Sequence, residues 1–397
     1  MISVKEASEI VFSHLGNFGT EIVPLSGSIH RILSEKIVAD RPFPPFDRVM
    51  MDGIAINYSS WLKGIRIFQI EGSQFAGQKQ ICLQDENACL EVMTGAILPE
   101  GTDVVIPIEK ITVLNGKAEV VIDEVLQFQH IHKQGFDKEK DEVLLTERNR
   151  ISPSEVATLA TVGKSKVVVR KLPKVAVIST GDELVEVDQI PERYQIRKSN
   201  VLALHASLVE EGINAEMFHL KDDKDSISIA LTNILNSFDL VIMSGGVSKG
   251  KKDFVPEVLE ELGVNKLFHR VNQRPGKPFW FGEYNSSAHI FALPGNPVST
   301  FMCYYRYVKP WIYKSMGCNY EFEMAQIASD FEFKPELTYF LQVAVYAGEC
   351  VISAGPIQGK GSGDLANLNI SDGFLELPAN KSIFKKGEKY PLIRYRF

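Results

Sequence analysis

The feature that most constrains the fold is a strand-and-turn pattern that occurs three times between residues 174 and 253. Each repeat is a run of apolar, often β-branched residues that ends in an acidic turn, and helical patterns separate the runs. The predicted strands are residues 174–180, 215–220 and 240–243, and the acids that follow them are Glu183, Asp222 and Asp253. Alternation of strand and helix of this kind predicts a doubly wound sheet of parallel strands.

The three acids are expected to face one crevice, because ligands of such sheets bind beyond the carboxyl ends of the strands. A single acidic turn is more typical of an ordinary surface turn, but three at successive strand ends favour a binding site. Carboxylates beside glycine turns suit Mg²⁺ and a ligand that carries phosphate. The turns concerned contain Gly181 and Asp182 after the first strand, and Ser244, Gly245 and Gly246 after the third.

Composition and hydropathy limit the classes of protein to which the chain can belong. The 397 residues are 45% hydrophobic and 23% charged, as in a globular protein of several domains. A net charge of -7 argues against general nucleic-acid binding. No apolar run is long enough to span a bilayer and no signal-peptide pattern is present, so we expect a cytoplasmic protein without a membrane partner.

Cysteine and histidine spacing gives no metal or disulfide pattern. The five cysteines are widely spaced and lack Cys-x-x-Cys, so we expect reduced thiols. The pair His130 and His132 could bind a metal, but we interpret both as exposed loop histidines.

The flanking regions have a different character. Residues 54–129 contain short strands and predict a β-rich region, and alternation from about residue 320 predicts a small separate β domain. Helices are predicted near the N-terminus, with Ser3 and Glu6 as a capping box, at residues 28–37, and after Ser152.

A local group of basic residues lies in this acidic protein, at Lys249, Lys251, Lys252, Arg270, Arg274 and Lys277. Asn296 and Pro297 predict a helix start, and helix N-termini attract anions. Composition alone leaves two readings open, solvated charges without a function and an anion site.

The residues together indicate a Mg²⁺-assisted enzyme that acts on a phosphorylated or nucleotide-like ligand. The sequence has no G-x-G-x-x-G after a strand, no Walker motif and no G-x-S-x-G elbow with triad partners. These absences argue against dinucleotide oxidoreductases, P-loop NTPases and serine hydrolases.

Six spaced motifs run along the chain, namely Pro44-Pro-Phe-Asp47 with Met51-Asp-Gly-Ile-Ala55, the run from Thr94 to Asp103, Ser179-Thr-Gly-Asp-Glu-Leu184, Ser244-Gly-Gly-Val-Ser248, Pro275-Gly-Lys-Pro278 and Leu293-Pro-Gly-Asn-Pro-Val-Ser299. In this order and spacing they resemble the MoeA/gephyrin E-domain family, the molybdopterin molybdotransferases. The resemblance spans nearly the whole chain, and only the last domain matches loosely.

The resemblance implies an α/β multidomain chain that forms a homodimer with its active cleft between subunits. Its parts would be a discontinuous helical linker domain (1–40 and 138–172), an inserted β-rich domain (41–137), a doubly wound molybdopterin-binding α/β domain (173–319) and a C-terminal β-barrel domain (320–397). Family members use Mg²⁺ and molybdate, the latter as substrate, to convert adenylylated molybdopterin into molybdenum cofactor with release of AMP. A molybdopterin adenylyltransferase is a possible partner.

The resemblance also implies site residues. Functional positions are matched by Asp52, Thr94, Asp137, Glu183, Asp222 and Asp253, of which Glu183, Asp222 and Asp253 would hold the metal. Substrate or anion contacts are implied for Thr180, Gly181, Asp182, Ser244, Gly245, Gly246, Ser248, Arg270, Arg274, Lys277, Pro294, Pro297 and Ser362. Asp52 and Thr94 would serve the pterin domain of the partner subunit.

Some positions depart from the family pattern, namely Val49, Met50 and Ile54 around Asp52, Lys133 and Gln134 in place of two arginines, and Lys198 in place of an acid. They put molybdate affinity and metal choice in question more than the fold. A molybdopterin adenylyltransferase-like enzyme and a non-catalytic cofactor-binding scaffold remain alternatives. Tungstate is open as the oxyanion in place of molybdate.

Overall fold

The structure is a computed structural model that describes residues 1–247, 254–348, 351–359 and 361–396. Two of the predicted site residues, Ser248 and Asp253, lie outside the described residues, as do three basic residues of the local group (Lys249, Lys251 and Lys252). The chain divides into two compact units. Unit 1 comprises Met1–Ser34, Arg148–Ser152 and Val167–Phe397, and unit 2 comprises Glu35–Glu147 and Pro153–Lys166.

The described ranges contain these α-helices: α1 (Val4–Ser13), α2 (Tyr58–Leu62), α3 (Pro153–Thr161), α4 (Asn200–Glu210), α5 (Lys224–Ser237), α6 (Val255–Glu261), α7 (Pro297–Cys303) and α8 (Lys309–Ser315). A π-helical turn, Tyr304–Val308, joins α7 to α8. Across the described part of the chain, every helix is too short or too polar to cross a lipid bilayer.

The strands before residue 150 are β1 (Thr20–Pro24), β2 (Ile37–Val38), β3 (Arg48–Val49), β4 (Gly53–Ile56), β5 (Ile67–Gln74), β6 (Cys89–Val92), β7 (Val104–Pro107), β8 (Ile111–Leu114), β9 (Lys117–Val120), β10 (Ile131–His132) and β11 (Val143–Leu145). The next group is β12 (Lys166–Arg170), β13 (Val175–Thr180), β14 (Leu184–Val185), β15 (Ile196–Arg197), β16 (Ala215–Leu220), β17 (Leu240–Ser244), β18 (Asn265–His269), β19 (Gln273–Arg274), β20 (Trp280–Tyr284) and β21 (Ala288–Leu293). The last group is β22 (Glu323–Ile327), β23 (Phe331–Glu332), β24 (Thr338–Ala347), β25 (Ile352–Pro356), β26 (Gly373–Leu377), β27 (Ile383–Phe384) and β28 (Lys389–Arg394).

A six-stranded sheet in the order β16-β13-β17-β21-β20-β18 forms the centre of unit 1. The first four strands are parallel, and β20 and β18 continue the sheet in antiparallel pairing. Alternate residues of β13 enter two hydrophobic cores, one with α4, α7 and α8 and the other with α5 and α6. Helices therefore cover both faces, which confirms the doubly wound prediction and explains why the central strands β13, β17 and β21 are buried along their whole length.

The C-terminal strands of unit 1 form a closed barrel. Strands β24, β25, β22, β28 and β26 pair in a ring that is completed by the β24–β26 pairing. Inward residues such as Leu341, Val343 and Leu375 are buried in its core. The prediction of a C-terminal β domain is confirmed, and closure leaves none of these five strands as a free edge.

Unit 2 is built on a six-stranded sheet in the order β7-β4-β6-β5-β9-β8. Its core contains Ile54, Phe68, Val104 and Ile106. The short pairs β3–β10 and β2–β11 belong to the same unit. The β-rich character of this region was expected, whereas the boundaries of the four-domain division stay a prediction.

Of the two sequence predictions near the N-terminus, the capping box of the first helix is confirmed and the helix at residues 28–37 is not. The capping box of α1 is confirmed, since the Glu6 amide donates to Ser3 Oγ and the Ser3 amide donates to Glu6 Oε2. The helix predicted at residues 28–37 is wrong. Ile32 and Leu33 are both buried there and form β-bridges with Arg150 and Val169. Long-range pairing of the backbone has replaced the local helical bonds that the apolar spacing indicated.

Helix α4 provides a matched test of its packing in unit 1. Leu208 is fully buried in the core, whereas Leu202 on the same helix is 39% exposed. We expect Leu208→Ala to lower the free energy of unfolding by about 2–5 kcal/mol, because it leaves a cavity, and Leu202→Ala to change it by about 0.5 kcal/mol or less. Denaturant unfolding followed by tryptophan fluorescence measures both, since Trp280 and Trp311 are buried in unit 1. Equal shifts for the two variants would contradict this packing.

Candidate functional site

A cavity of about 1040 Å³ opens in unit 1 where the parallel strands end. The ends of β13 and β17 contribute Thr180 and Ser244, and the turn after β21 contributes Pro294. The carboxyl ends meet there because β17 is in register with both β13 and β21, with Ser179 opposite Ser244 and Ser244 opposite Leu293. The crevice predicted for a doubly wound sheet is thus present as a cavity large enough for a small-molecule ligand.

Most site residues expected in unit 1 line this cavity. They are Thr180, Gly181, Glu183, Asp222, Ser244, Gly245, Gly246, Arg274, Lys277, Pro294, Pro297 and Ser362. Asp182 is not part of the lining, but its Oδ1 accepts a hydrogen bond from the Asp222 amide at 3.3 Å. Arg270 is also absent from the lining. The structure therefore brings two of the three acidic turns to one cavity, and the third, at Asp253, lies outside the described residues.

Two glycines allow the turn after β17 to lie against the end of β13. Gly245 and Gly246 have φ values of +101° and +68°, where glycine is favoured. A Cβ added to Gly246 would lie 2.8 Å from Thr180 Oγ1 and 2.8 Å from a methyl carbon of Val255. A side chain at this position would therefore displace the wall of the cavity.

Asn200 joins two of the turns that form the cavity. Its Nδ2 donates to Ser244 Oγ at 2.9 Å and to the Gly295 carbonyl at 2.7 Å. Sequence reasoning missed Asn200, which is not among the predicted site residues. The N-cap of α4 is Ser199, whose side chain makes no capping bond. The side-chain amide of Asn200, one residue later, bonds to the cavity turns instead of to the end of the helix.

Ser362 reaches the cavity through a second asparagine. Asn296 Nδ2 donates to Ser362 Oγ at 2.8 Å, and the Val298 amide donates to the Ser362 carbonyl at 3.1 Å. Asn296 does lie at the N-cap of α7 as expected, but its side chain makes no capping bond. Its amide group instead holds the loop after β25 against the helix start.

Strand β24 of the barrel contributes three lining residues that sequence reasoning missed, Tyr339, Phe340 and Gln342. The Tyr339 ring stacks on Phe333 with a centroid distance of 4.1 Å, and Tyr339 lies beside Arg274 in the β19–β24 pairing. Their strand shows only ordinary β alternation in the sequence. No local signal could have identified them, because β24 reaches the cavity through its long-range pairing with β19, which carries Arg274.

Two buried polar atoms in the cavity lining have no protein partner within the described ranges. Gln342 is 8% exposed and its Nε2 donates to nothing, while Thr180 is 5% exposed and its Oγ1 is also unpaired. Gln342 Oε1 accepts from Asn367 Nδ2 at 3.4 Å, which leaves the amide group as the free end. A buried donor without a hydrogen-bond partner destabilises the folded protein. Two such donors in a cavity wall therefore indicate that the cavity binds a polar ligand.

Lys198 also lines the cavity. Its ammonium is largely buried and pairs with Glu186, whose pKa is lowered by that hydrogen bond and by the lysine charge. Nearby, burial lowers the pKa of His219, and the charge of Lys198 lowers it further. This departure from the family pattern therefore adds a cation that an outer carboxylate already balances.

Unit 2 contains the pair Asp52 and Thr94. Both the amide and the hydroxyl of Thr94 donate to Asp52 Oδ1, each at 2.7 Å. These bonds favour the carboxylate and lower the pKa of Asp52, the backbone bond most and the hydroxyl bond next. Asp52 is thus held ionised on the surface of the unit.

Asp137, also in unit 2, accepts a hydrogen bond from a histidine. His132 Nε2 lies 3.0 Å from Asp137 Oδ1. The interpretation of His132 as an exposed loop histidine is wrong, because it lies in β10 with a side chain that is 21% exposed and is bonded at both nitrogens. Within the described part of the chain, no group of three or more acidic, histidine or cysteine side chains is arranged to hold a metal ion.

The departures in unit 2 have local structural roles. Lys133 Nζ donates to Asp47 Oδ2 at 2.8 Å, and the Gln134 amide donates to Asp47 Oδ1 at 2.8 Å. Val49 and Ile54 are buried in cores of the unit, whereas Met50 is 51% exposed. The charge of Lys133 is therefore balanced by an acid within the same unit.

Comparison with known proteins gives a consistent result along the whole chain. Residues 2–163 match a model described as the MoeA N-terminal region (domain I and II), residues 176–314 a probable molybdopterin binding domain, and residues 324–394 the MoeA C-terminal region (domain IV). The molybdopterin molybdenumtransferase of Synechocystis sp. is 40% identical, with 98% of this chain and 99% of the relative covered. That of Bacillus subtilis is 30% identical, with 100% and 94% covered. The crystal structure of a molybdopterin biosynthesis MoeA protein from Pyrococcus horikoshii OT3 aligns with a TM-score of 0.82 at 28% identity, with 100% of both chains covered.

The bonds to Asp52 predict a specific pH dependence. Thr94→Val removes the hydroxyl donor and keeps the amide donor, so the pKa of Asp52 should rise toward its ordinary value without reaching it, whereas Thr94→Ser should leave it low. Because the folded-state pKa is depressed, these bonds stabilise the folded chain above the ordinary carboxyl pKa, and that stabilisation disappears as the pH falls through the folded-state pKa. Carboxyl ¹³C NMR titration of the two variants measures the difference. An Asp52 titration that is the same in Thr94→Val and wild type would contradict it.

Proposed function

Because the chain belongs to the MoeA family, as its motifs suggested, we propose that it is a molybdopterin molybdenumtransferase that inserts molybdate into adenylylated molybdopterin and releases AMP. The observation that carries the proposal is the cavity of unit 1, which combines carboxylates with cations at the ends of parallel strands. A substrate with a phosphoanhydride and an oxyanion needs both kinds of group, one to hold a metal ion and the other to bind negative charge.

The cationic wall supports binding of the oxyanion and the phosphates. Arg274 and Lys277 line the cavity, and neither forms an ion pair with any of the residues that the structure describes. Their charges are thus available to a ligand in a protein whose net charge is -7. Arg274 can present two parallel N–H donors to an oxyanion, and Lys277 acts as a point charge. The unpaired Thr180 hydroxyl and Gln342 amide add neutral donors.

The acidic wall fits a magnesium ion. Glu183 and Asp222 line the same cavity, and Mg²⁺ is commonly bound through one or two carboxylates together with substrate phosphates. A cage of three protein ligands is therefore not required. Glu183 and Asp222 would hold the ion, and Asp253 is the third proposed ligand. When bound, Mg²⁺ would supply positive charge to the phosphoanhydride as AMP leaves.

The chain's own residues have three tasks in this proposal. Arg274 and Lys277 bind the oxyanion beside the dithiolene sulfurs, whose two thiol protons leave as water with one oxo ligand of molybdate. Asn200 and Asn296 hold the turns that carry Ser244 and Ser362, so that these hydroxyls keep a fixed position. The cavity walls limit the water around the P–O–P bridge of the substrate, where one oxygen from water or molybdate bonds to phosphorus as the P–O bond to AMP breaks.

Further parts of the proposal concern assembly and location. We propose a cytoplasmic homodimer in which Asp52, Thr94 and Asp137 of unit 2 serve the cleft that contains the pterin domain of the partner subunit. A molybdopterin adenylyltransferase is the proposed source of the substrate. Arg270, which does not line the cavity of unit 1, is a weaker candidate for an anion contact than Arg274 and Lys277.

The direct test is AMP release from adenylylated molybdopterin in the presence of Mg²⁺, with and without molybdate. We expect release that depends on molybdate, and a loss of about 10²–10³-fold in kcat for Asp222→Asn or Glu183→Gln, as for removal of one preorganised electrostatic group. Asp225→Asn is a matched control, because Asp225 lies in the first turn of α5 and is not part of the cavity lining.

Other outcomes distinguish the alternatives. Consumption of ATP with bare molybdopterin would instead indicate an adenylyltransferase-like enzyme. Tight substrate binding without release under molybdate or tungstate, unchanged in Asp222→Asn, would indicate a scaffold and would refute the catalytic proposal. Faster release with tungstate than with molybdate would change the oxyanion and leave the reaction class intact.

A further inference from the structure

In unit 2, the pairing of β3 with β10 places Arg48 directly opposite His132. The neighbouring residues in the same register, Val49 and Ile131, are buried in a hydrophobic core. Because side chains alternate across a strand, Arg48 and His132 lie together on the other face. The buried pair behind them therefore fixes the position of the imidazole and the guanidinium.

The hydrogen bonds of His132 determine which nitrogen carries its proton. Arg48 Nη2 lies 3.1 Å from His132 Nδ1, and His132 Nε2 lies 3.0 Å from Asp137 Oδ1. A guanidinium can only donate hydrogen bonds, so Nδ1 must be the acceptor and must be unprotonated. The proton of the neutral imidazole then lies on Nε2 and is donated to the carboxylate of Asp137.

We propose that His132 is a positioning residue that Arg48 holds in the Nε2–H tautomer, so that it orients the carboxylate of Asp137. The inference deepens the proposed function, because it assumes that Asp137 takes part in the reaction. Asp137 Oδ1 is occupied by the imidazole, whereas Oδ2 accepts no hydrogen bond from any residue that the structure describes. Oδ2 is therefore the oxygen left free for a further partner.

The carboxylate needs this bond because little else restrains it. The Asp137 side chain is 53% exposed, whereas its backbone is held by the bond from its amide to the Phe43 carbonyl at 2.9 Å and by the bridge between Phe43 and Lys138. The imidazole is restrained on one side by Arg48 and is in edge contact with the Phe136 ring at 5.6 Å. A rigid donor thus orders an otherwise mobile surface carboxylate.

The local fold does not depend on His132. The turn that precedes Asp137 is held by Asp47, which accepts from the Lys133 ammonium and from the Gln134 amide, and by the bond from the Gly135 amide to the Pro44 carbonyl. None of these bonds involves the imidazole. Variants at position 132 should therefore fold and retain the turn.

The first experiment identifies the tautomer without any need for turnover. Imidazole ¹⁵N NMR of the full chain, with the signals of residue 132 assigned by their loss in His132→Gln, should show a protonated Nε2 and an unprotonated Nδ1 at neutral to mildly alkaline pH. The carboxyl ¹³C shift of Asp137 should change in His132→Leu and remain near its wild-type value in His132→Gln, whose amide can replace the Nε2–H donor. A protonated Nδ1, or an Asp137 shift that is equal in both variants, would overturn the inference.

The second experiment measures AMP release for the same variants. His132→Leu should lower kcat about tenfold or more with a smaller change in KM, and His132→Gln should recover kcat to within about threefold of wild type, because it restores the donor. His130→Asn is the matched control, since the His130 side chain is exposed and its φ of +56° is one that asparagine tolerates. Equal losses in the Gln and Leu variants, or none in the Leu variant, would refute a positioning role.

The two experiments separate the inference from the function on which it rests. If the wild-type protein releases no AMP, the proposed function fails, and the NMR result alone then decides whether His132 orders Asp137. If AMP is released and the tautomer is the expected one, the kinetic comparison decides whether that order matters for the reaction.

Discussion

The structure of the cavity depends on the parallel register of three strands, β13, β17 and β21. Because Ser179, Ser244 and Leu293 are aligned across the sheet, the turns that follow begin at one level. The strands are buried on both faces by helices, which fixes the register, since a shift by one residue would exchange the residues of the two cores. The positions of Thr180, Ser244 and Pro294 in the cavity wall are consequences of that constraint.

How far the sequence predicts this arrangement can be followed element by element. Three of the six strands of the sheet were predicted to within a residue, at 174–180 for Val175–Thr180, at 215–220 for Ala215–Leu220 and at 240–243 for Leu240–Ser244. Apolar runs bounded by turn residues are a strong local signal, and parallel topology then brings the turns together. Residues 28–37 were predicted wrongly because the local pattern there does not decide the structure. The segment was predicted as a helix, but Ile32 and Leu33 form β-bridges with distant parts of the backbone.

The parts of the site that could not be predicted depend on long-range contacts. Asn200 bonds to groups 44 and 95 residues away in the chain, and Gln342 reaches the cavity because its strand, β24, pairs with the distant strand β19. Neither residue belongs to a local pattern with a chemical meaning. Motif resemblance identified Arg274 and Lys277, but only the structure shows their surroundings, in which the nearby Lys198 is already neutralised by Glu186. The cations that remain for an anion are therefore fewer than the composition suggests.

Three carboxylates of unit 2 illustrate how different donors give acids different roles. Asp47 is paired with an ammonium, so its charge is balanced and its bonds hold a turn. Among the described contacts, Asp52 receives just the neutral donors of Thr94, which lower its pKa and do not compensate its negative charge. Asp137 receives an imidazole N–H and keeps one oxygen free among the described contacts. A carboxylate that is to act on a metal ion or a substrate must retain both its charge and a free oxygen. By that criterion Asp52 and Asp137 remain available for function, whereas Asp47, the acid with the strongest partner, is the structural one.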